Sequence, residues 1–390
     1  MSILDRYPTA MMNTFGAPKL ALVRGNGCVV EDENGREYLD LLAGIAVNAL
    51  GHAHPKLVEA ITHQLQTLGH VSNFFATEPQ VELAEKLADL LGVPAKVFFS
   101  NSGTEANEAA MKITRLTGRT KIIALEGSFH GRTMGTLALT HTLKYRAPFE
   151  PLPGEVIFIP PEIEALEAAV DDETAAVVLE VIQGENGVLE IDPEFILKAR
   201  ELTSLHGSLL WVDEVQTGIG RCGVWFAHQL LGVEPDLVTL AKGLAGGFPI
   251  GACLAVGNAA DLFTPGLHGS TFGGNPVAAA AALAVLKTIE EEGLLSHVVE
   301  TGEHLSQQIM ELESPLVDRV SGAGLLRGIQ FTDDVSAVVA DALLERGFIV
   351  NAPRPSTIRL APPLIVSQEQ LDAFTAVLDE VLKEIGAASE

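Results

Sequence analysis

The sequence predicts an α/β protein, with a large domain around a mostly parallel central sheet and a smaller α+β domain built from both termini. Three observations predict it. From about residue 51 to 255, short apolar runs alternate with stretches whose apolar residues recur at helical spacing, which argues for right-handed βαβ units. After a helical stretch at 276–292 the chain changes character, and helices interleave with short strands. At 390 residues and 47% hydrophobic, the chain can bury a large core and is long enough for two or three domains.

Residues 1–50 hold strand-like pieces with glycine turns (Gly25-Asn26-Gly27 and Glu33-Asn34-Gly35) and an Ala/Leu-rich stretch at 41–50. This N-terminal segment is expected to join the small domain. The large domain is expected over 51–275. Its helical patterns lie at 55–69, 78–91, 105–117 and 193–206, and its strand-like runs at 97–99, 121–125, 156–159, 176–181, 209–213, 236–241 and 251–256. Residues 276–390 read as a connecting helix and a C-terminal small domain, with helices at 294–312, 334–346 and 367–385 and strands near 326–331, 348–351 and 357–360. Neither an internal repeat nor a low-complexity linker interrupts the pattern.

A formal net charge of −26 argues against nucleic acid or an anionic membrane surface as a partner. An anionic small molecule must then be drawn in by local arginines. Cys28, Cys222 and Cys253 are few, odd in number and far apart, so neither a disulfide framework nor a zinc site is indicated, and no metal is expected. The start of the chain has no apolar stretch of signal-peptide length, and the Ala-rich run 277–286 is short of the roughly 20 residues that span a bilayer. A cytoplasmic protein is the expectation.

The chemistry is concentrated at two strand ends. Asp213 follows the apolar run Leu209–Val212, and Lys242 follows Leu237–Ala241. The carboxyl ends of parallel strands form the ligand crevice of open α/β folds. A carboxylate and an amine buried there each carry a desolvation cost, so the pair asks for a reason. Pyridoxal 5'-phosphate supplies one, since it needs a lysine for a Schiff base and an acid to keep its ring nitrogen protonated. Taken singly, a strand-end aspartate reads as a helix cap and a lysine as a solvated surface charge. A place for the phosphate lies at 97–113, where a strand, a small polar turn (Ser102, Gly103, Thr104) and a helix follow one another. A helix N-terminus offers unpaired N–H groups and the positive end of a dipole. The turn Gly269–Asn275 before the Ala-rich helix is a second candidate phosphate donor. No Walker-type loop or dinucleotide fingerprint occurs.

Seven ordered motifs then carry a resemblance. They are Asn-Ser-Gly-Thr-Glu-Ala-Asn-Glu (101–108), Phe-His-Gly-Arg-Thr (129–133), Gln-Gly-Glu-Asn-Gly-Val (183–188), Asp-Glu-Val-Gln-Thr-Gly (213–218), Ala-Lys-Gly (241–243), Ser-Thr-Phe-Gly-Gly-Asn-Pro (270–276) and Arg-Leu-Ala-Pro-Pro-Leu (359–364). With the Leu42–His52 segment they span nearly the whole chain, which resembles the class III, fold-type-I pyridoxal-phosphate aminotransferases. The resemblance implies that Lys242 holds the cofactor covalently and moves the 1,3-proton as base and acid. It implies that Asp213 pairs with the ring nitrogen, Gln216 with the ring hydroxyl, and Phe129 stacks on the ring. Ser102, Gly103 and Thr104 would hold the phosphate, and Thr271 would reach the phosphate of a neighbouring subunit, which implies a homodimer with shared sites. Ser270 beside it is expected at the substrate.

Within this family an ω-amino donor presents its terminal amine to the cofactor and its α-carboxylate far away, whereas glutamate presents its α-amine at the same place. One site therefore needs two separated carboxylate clamps, a task suited to the planar fork of arginine. Arg132 is the expected clamp for the donor's α-carboxylate and for the γ-carboxylate of glutamate. Arg359 is the expected clamp for the α-carboxylate of glutamate or 2-oxoglutarate, and Glu185 the gate that neutralises Arg359 when the donor is bound. The alternative for each is a structural ion pair. The implied donor is N-acetylornithine, with ornithine, succinylornithine, succinyldiaminopimelate and 4-aminobutyrate as alternatives, and an aminomutase or a non-catalytic cofactor scaffold as rivals of other classes. One departure stands out. Ser72–Ala76 occupies a stretch that lines the substrate channel in relatives and often carries a tyrosine near the place of Ala76. His130 is expected to pack behind Phe129, Glu180 and Glu214 to support neighbouring groups, and His52 and His54 to belong to a turn.

Overall fold

The computed structural model describes residues 2–389 and has a seven-stranded central sheet. The strands lie in the order Ala95–Ser100, Gly251–Val256, Leu237–Leu240, Leu209–Asp213, Thr174–Leu179, Lys121–Leu125, Glu155–Ile159. The last five run parallel to one another. Thr174–Leu179, Leu209–Asp213 and Lys121–Leu125 are buried along their whole length. Burial on both faces explains their near-continuous apolar sequences. Gly251–Val256 is the exception and runs antiparallel to both neighbours. The link 241–250 contains only the short 3-10 turn Lys242–Ala245, too little chain for the crossover that a parallel return requires.

The expected elements recur with shifted ends. The helix expected from 105 runs Gly103–Arg115, because Ser102 is its N-cap and Ser102 Oγ accepts from the Glu105 amide at 3.3 Å. Its inner face carries Ala106, Ala109 and Ala110, small enough to bring the helix close to the sheet. The strand expected at 348–351 is two short ones, Phe348–Ile349 and Asn351–Arg354. Val317–Ala323 is a strand that the pattern did not announce, because it is an edge strand of mixed polarity with exposed Asp318 and Arg319. It begins an antiparallel sheet that continues through Leu326–Phe331, Thr357–Leu360 and Asn351–Arg354.

Segments from the N-terminal and C-terminal parts of the chain meet in a further sheet. Leu22–Asn26, Val29–Asp32 and Glu37–Asp40 form a meander, and Phe348–Ile349 adds to it in parallel. Pro276–Glu291 packs on Pro55–Thr67 and Glu78–Leu91, with Ala278, Ala279, Ala281 and Ala282 buried at the contacts. No helix among the described residues is long and apolar enough to cross a membrane.

Candidate active site

A cavity of about 370 Å³ opens beyond the carboxyl ends of the parallel strands. Asp213 ends its strand in register with Thr239 of the next, and Lys242 follows two residues after that neighbour ends. The two side chains therefore reach one cavity because their strands are adjacent. Lys242 has φ +44°, an uncommon conformation for a residue with a side chain. Burial, with the Arg359 guanidinium nearby, pushes its ammonium from the ordinary 10.5 down to about 8.

Asp213 is held from three directions. Its Oδ2 accepts from Asn107 Nδ2 at 2.8 Å and lies 2.8 Å from His130 Nδ1, and its Oδ1 accepts from the Val215 amide at 3.0 Å. Asn107 Nδ2 also donates to the His130 carbonyl at 2.7 Å, which ties the Phe129–Arg132 segment to the helix Gly103–Arg115. Burial pushes the His130 imidazole down, and the hydrogen bond and charge of Asp213 more than offset it, so its pKa stands raised. Glu180 Oε1 accepts from the Phe129 amide at 3.0 Å, and burial lifts its carboxyl to about 7.

The anion end is the N-terminus of Gly103–Arg115, where the first amides have no carbonyl one turn earlier to bond. The turn is packed backbone to side chain. A Cβ at Gly103 would stand 2.7 Å from Val215 Cγ1, and one at Gly251 only 2.3 Å from the Ser102 carbonyl. Thr104 Oγ1 is engaged by Thr133 and Thr136 at 2.8 and 2.6 Å, so its backbone amide is the group left for a phosphate. A carboxylate, an amine of lowered pKa and an anion-favouring helix end thus line one cavity. That donor set fits pyridoxal phosphate.

Phe129 and Arg132 also line the cavity, and Tyr145 packs against both of them. The Arg132 guanidinium lies 3.6 Å from the centre of the Tyr145 ring and 5.4 Å from that of Phe129. Arg132 is exposed and forms no ion pair among the described residues. Arg359 is the reverse, 1% exposed and fully engaged on one side. Its Nη1 donates to Glu185 Oε1 at 2.6 Å and to Gln216 Oε1 at 3.3 Å, and its Nη2 to Asn351 Oδ1 at 2.7 Å, while Nε has no partner. Burial pushes the Glu185 carboxyl up, and the charge and hydrogen bond of Arg359 pull it below its ordinary value.

The structure brings Ser102, Gly103, Thr104, Phe129, Arg132, Glu185, Asp213, Gln216 and Lys242 to this cavity, with Arg359 behind Glu185 and Gln216. Ser270 and Thr271 lie elsewhere, in a neighbouring cavity shared with Ser72, Asn73 and Phe74. There Ser270 Oγ accepts from Asn101 Nδ2 at 3.2 Å and from the Gly273 amide at 2.9 Å. His52 Nε2 lies 2.8 Å from Asp40 Oδ2, and the Glu214 carboxylate accepts from the amides of Ala227 and His228, both supporting arrangements. Sequence reasoning missed Tyr145, Asn107 and Val47. Val47 follows a left-handed run, Ala43 to Ala46, whose entry is held by Asp40 Oδ1 accepting from the amides of Leu42 and Ala43. Nothing in an Ala/Leu-rich stretch signals such a backbone. Asn107 was findable, as a polar residue on the sheet-facing side of an alanine-lined helix.

The sequence model of the class-III aminotransferases matches residues 11–382. The chain is 59% identical to the acetylornithine aminotransferase of Mycolicibacterium smegmatis, over 98% of each chain. It is 55% identical to that of Mycobacterium tuberculosis H37Rv, over 98% of this chain and 97% of the relative. Among solved structures, the N-acetylornithine aminotransferase of Stenotrophomonas maltophilia superposes with a TM-score of 0.84 at 34% identity, over 96% of this chain and 99% of that one. The ornithine aminotransferase of Toxoplasma gondii superposes with a TM-score of 0.93 at 29% identity, over 98% and 94%.

Proposed function

The chain belongs to the class-III aminotransferase family, and we propose that it moves the terminal amino group of N2-acetylornithine to 2-oxoglutarate, giving N-acetylglutamate 5-semialdehyde and glutamate in arginine biosynthesis. The cofactor is pyridoxal 5'-phosphate. When bound, it supplies an electron sink that spreads the negative charge left on the substrate carbon after that carbon loses a proton. Ser102, Gly103 and the Thr104 amide would hold its phosphate, Phe129 would cover its ring, Gln216 would meet the ring hydroxyl, and Asp213 would hold the proton on the ring nitrogen. Asn107 and His130 keep the Asp213 carboxylate in place. The Lys242 amine is the group that would take the substrate proton and return it two atoms along, across the bridging nitrogen, as a 1,3-shift requires, and its lowered pKa suits that exchange near neutral pH.

The observation that carries the substrate reading is the pair of unlike arginines. Arg132 stands open at the mouth for a carboxylate common to both substrates. Arg359 is buried and already neutralised by Glu185. A donor with no carboxylate at that place leaves the pair closed, and glutamate displaces Glu185 with its α-carboxylate. A buried guanidinium stripped of its partner costs several kcal/mol, so a movable carboxylate lets one cavity serve both half-reactions.

We read the protein as a cytoplasmic homodimer with residues 51–275 as the large domain and the remainder as the small one. Phe74 and Phe272 are 91% and 60% exposed beside Thr271, a surface suited to a second copy whose phosphate Thr271 would reach. The test is a half-reaction. N-acetylornithine, ornithine, 4-aminobutyrate and succinyldiaminopimelate are mixed in turn with the purified cofactor-loaded enzyme, and conversion to the pyridoxamine phosphate form is followed by absorbance. N-acetylornithine is expected to lead by about tenfold or more in second-order rate, or about 1.4 kcal/mol of discrimination. A lead for ornithine or 4-aminobutyrate overturns the named donor and leaves the residue roles standing.

A further inference from the structure

The segment that carries Glu185 is tied to three adjacent strands through three successive residues. Glu185 meets Arg359 of Thr357–Leu360. Asn186 Oδ1 accepts from Nη2 of Arg354, in Asn351–Arg354, at 2.6 Å. The Gly187 carbonyl accepts from Nε2 of Gln330, in Leu326–Phe331, at 2.7 Å. Gln330 is itself fixed, since Thr357 Oγ1 donates to its Oε1 at 2.7 Å and its Nε2 also donates to Ser321 Oγ at 2.8 Å. On the other side, Asn186 Nδ2 donates to Gln183 Oε1 at 2.8 Å, and Gln183 Nε2 donates to the Glu126 carbonyl at 2.9 Å.

Packing closes what the hydrogen bonds leave open. A Cβ at Gly184 would stand 1.9 Å from Gln216 Oε1, one at Gly127 2.2 Å from Asn186 Nδ2, and one at Gly328 2.7 Å from the Gly187 carbonyl. Val188, buried and β-branched, is held at φ +59°. That conformation persists only when the surroundings impose it. Against this fixed backbone the Glu185 side chain is 32% exposed, while Arg359 opposite it is at 2%.

We propose that Gln330 and Arg354 are positioning residues for Glu185: they hold the backbone of 184–188 still, so that the carboxylate side chain alone leaves Arg359 and returns to it. The inference rests on the reading that Glu185 and a ligand carboxylate alternate at Arg359. Its consequence is a competition. A ligand that needs a free Arg359 binds with its intrinsic affinity reduced by the fraction of time the guanidinium is free. Loosening the loop makes the Glu185 contact less preorganised and raises that fraction.

The experiment uses the cofactor-loaded enzyme and measures 2-oxoglutarate binding by calorimetry, without turnover, beside the second-order rate with N-acetylornithine. Gln330→Leu and Arg354→Met are each expected to tighten 2-oxoglutarate by about three- to tenfold and to slow the donor by a similar factor. Glu185→Ala is expected to move both in the same directions and further, and the double variant Glu185→Ala/Gln330→Leu to tighten no more than Glu185→Ala alone. Should Glu185→Ala tighten binding while the two positioning variants do not, the proposal fails and the gate survives. An additive double variant, or equal weakening of both ligands, also overturns it. If Glu185→Ala itself leaves 2-oxoglutarate unchanged, the gate reading falls and the proposal with it. Arg354→Met, at the half-buried residue, carries the test if Gln330→Leu does not fold.

Discussion

At the Asp213 end of the cavity three donors converge on one buried carboxylate, whereas at the far end a buried guanidinium leans on a carboxylate that is a third exposed. The first arrangement has no slack. Asn107, His130 and the Val215 amide share the two oxygens of Asp213, and Asn107 also anchors the chain that carries Phe129. The second arrangement has slack in one side chain only. The difference follows the demands on each end. In the role proposed for Asp213, the proton at the ring nitrogen would stay where it is whatever the substrate, so rigidity there has no penalty. In the role proposed for it, the carboxylate end would meet two ligands that differ by a full charge, and a fixed partner would serve one and exclude the other.

The largest effect expected at the fixed end concerns Lys242. Its ammonium, ordinarily at 10.5, is lowered to about 8 in the cofactor-free protein, so the neutral amine below pH 8 is a few hundredfold more abundant than on a free lysine. Uptake of pyridoxal phosphate by that protein, followed by visible absorbance, should rise with pH and level off above about pH 8. A profile still climbing at pH 10 would show that the end is wet and its rigidity apparent only. Stability should carry the same signature. Between about pH 8 and 10.5 the unfolded chain binds more protons at this lysine than the folded one, so the cofactor-free protein gains stability as pH rises across that window. The gain should be absent in Lys242→Met.

At the adjustable end, Arg359→Leu should slow the glutamate half-reaction by about a hundredfold, the scale for truncating a buried charge pair. The half-reaction with N-acetylornithine should fall by less than about tenfold, because on the proposed roles that donor makes no use of the guanidinium. Single-turnover absorbance with each substrate separates the two. Equal losses would mean that the Glu185–Arg359 pair is structural, and the contrast between the ends would dissolve.

Much of the fixed end was legible in the sequence, and the reason is physical. Asp213 and Lys242 stand at the ends of apolar runs that must be buried strands, so local pattern alone places them at the crevice. Ser102 to Thr104 were legible through helix-capping chemistry in the same way. The adjustable end was reached through motif resemblance, and its packing was not legible at all. Arg359 depends on Asn351, Gln216 and Glu185, which come from separate elements and meet only in the tertiary fold. The pairing of Phe348–Ile349 with Glu37–Asp40 is equally non-local, as no period in either segment names the other. The left-handed run before Val47 is imposed by Asp40 from outside it.

Tyr145 is the residue that pattern reading had no means to find, and it sets the smallest of the expected effects. It sits in the short helix Leu143–Arg146, with neither periodicity nor a motif around it. Its ring supports the Arg132 guanidinium from 3.6 Å and meets Phe129 edge-on, with the ring planes at 88°. A cation held over an aromatic face at a partly exposed site is stabilised by about 1 kcal/mol. Tyr145→Leu should therefore weaken kcat/KM by about fivefold, and Tyr145→Phe, which keeps the face, should stay near the parent. The pattern across substrates says more than the size. Arg132 is proposed to hold a carboxylate in both half-reactions, so Tyr145→Leu should slow N-acetylornithine and glutamate alike, where Arg359→Leu slows one. A loss confined to a single substrate would remove Arg132 from the role of shared clamp. The mouth of the cavity would then be specialised for one ligand, and the two arginines would divide the substrates between them.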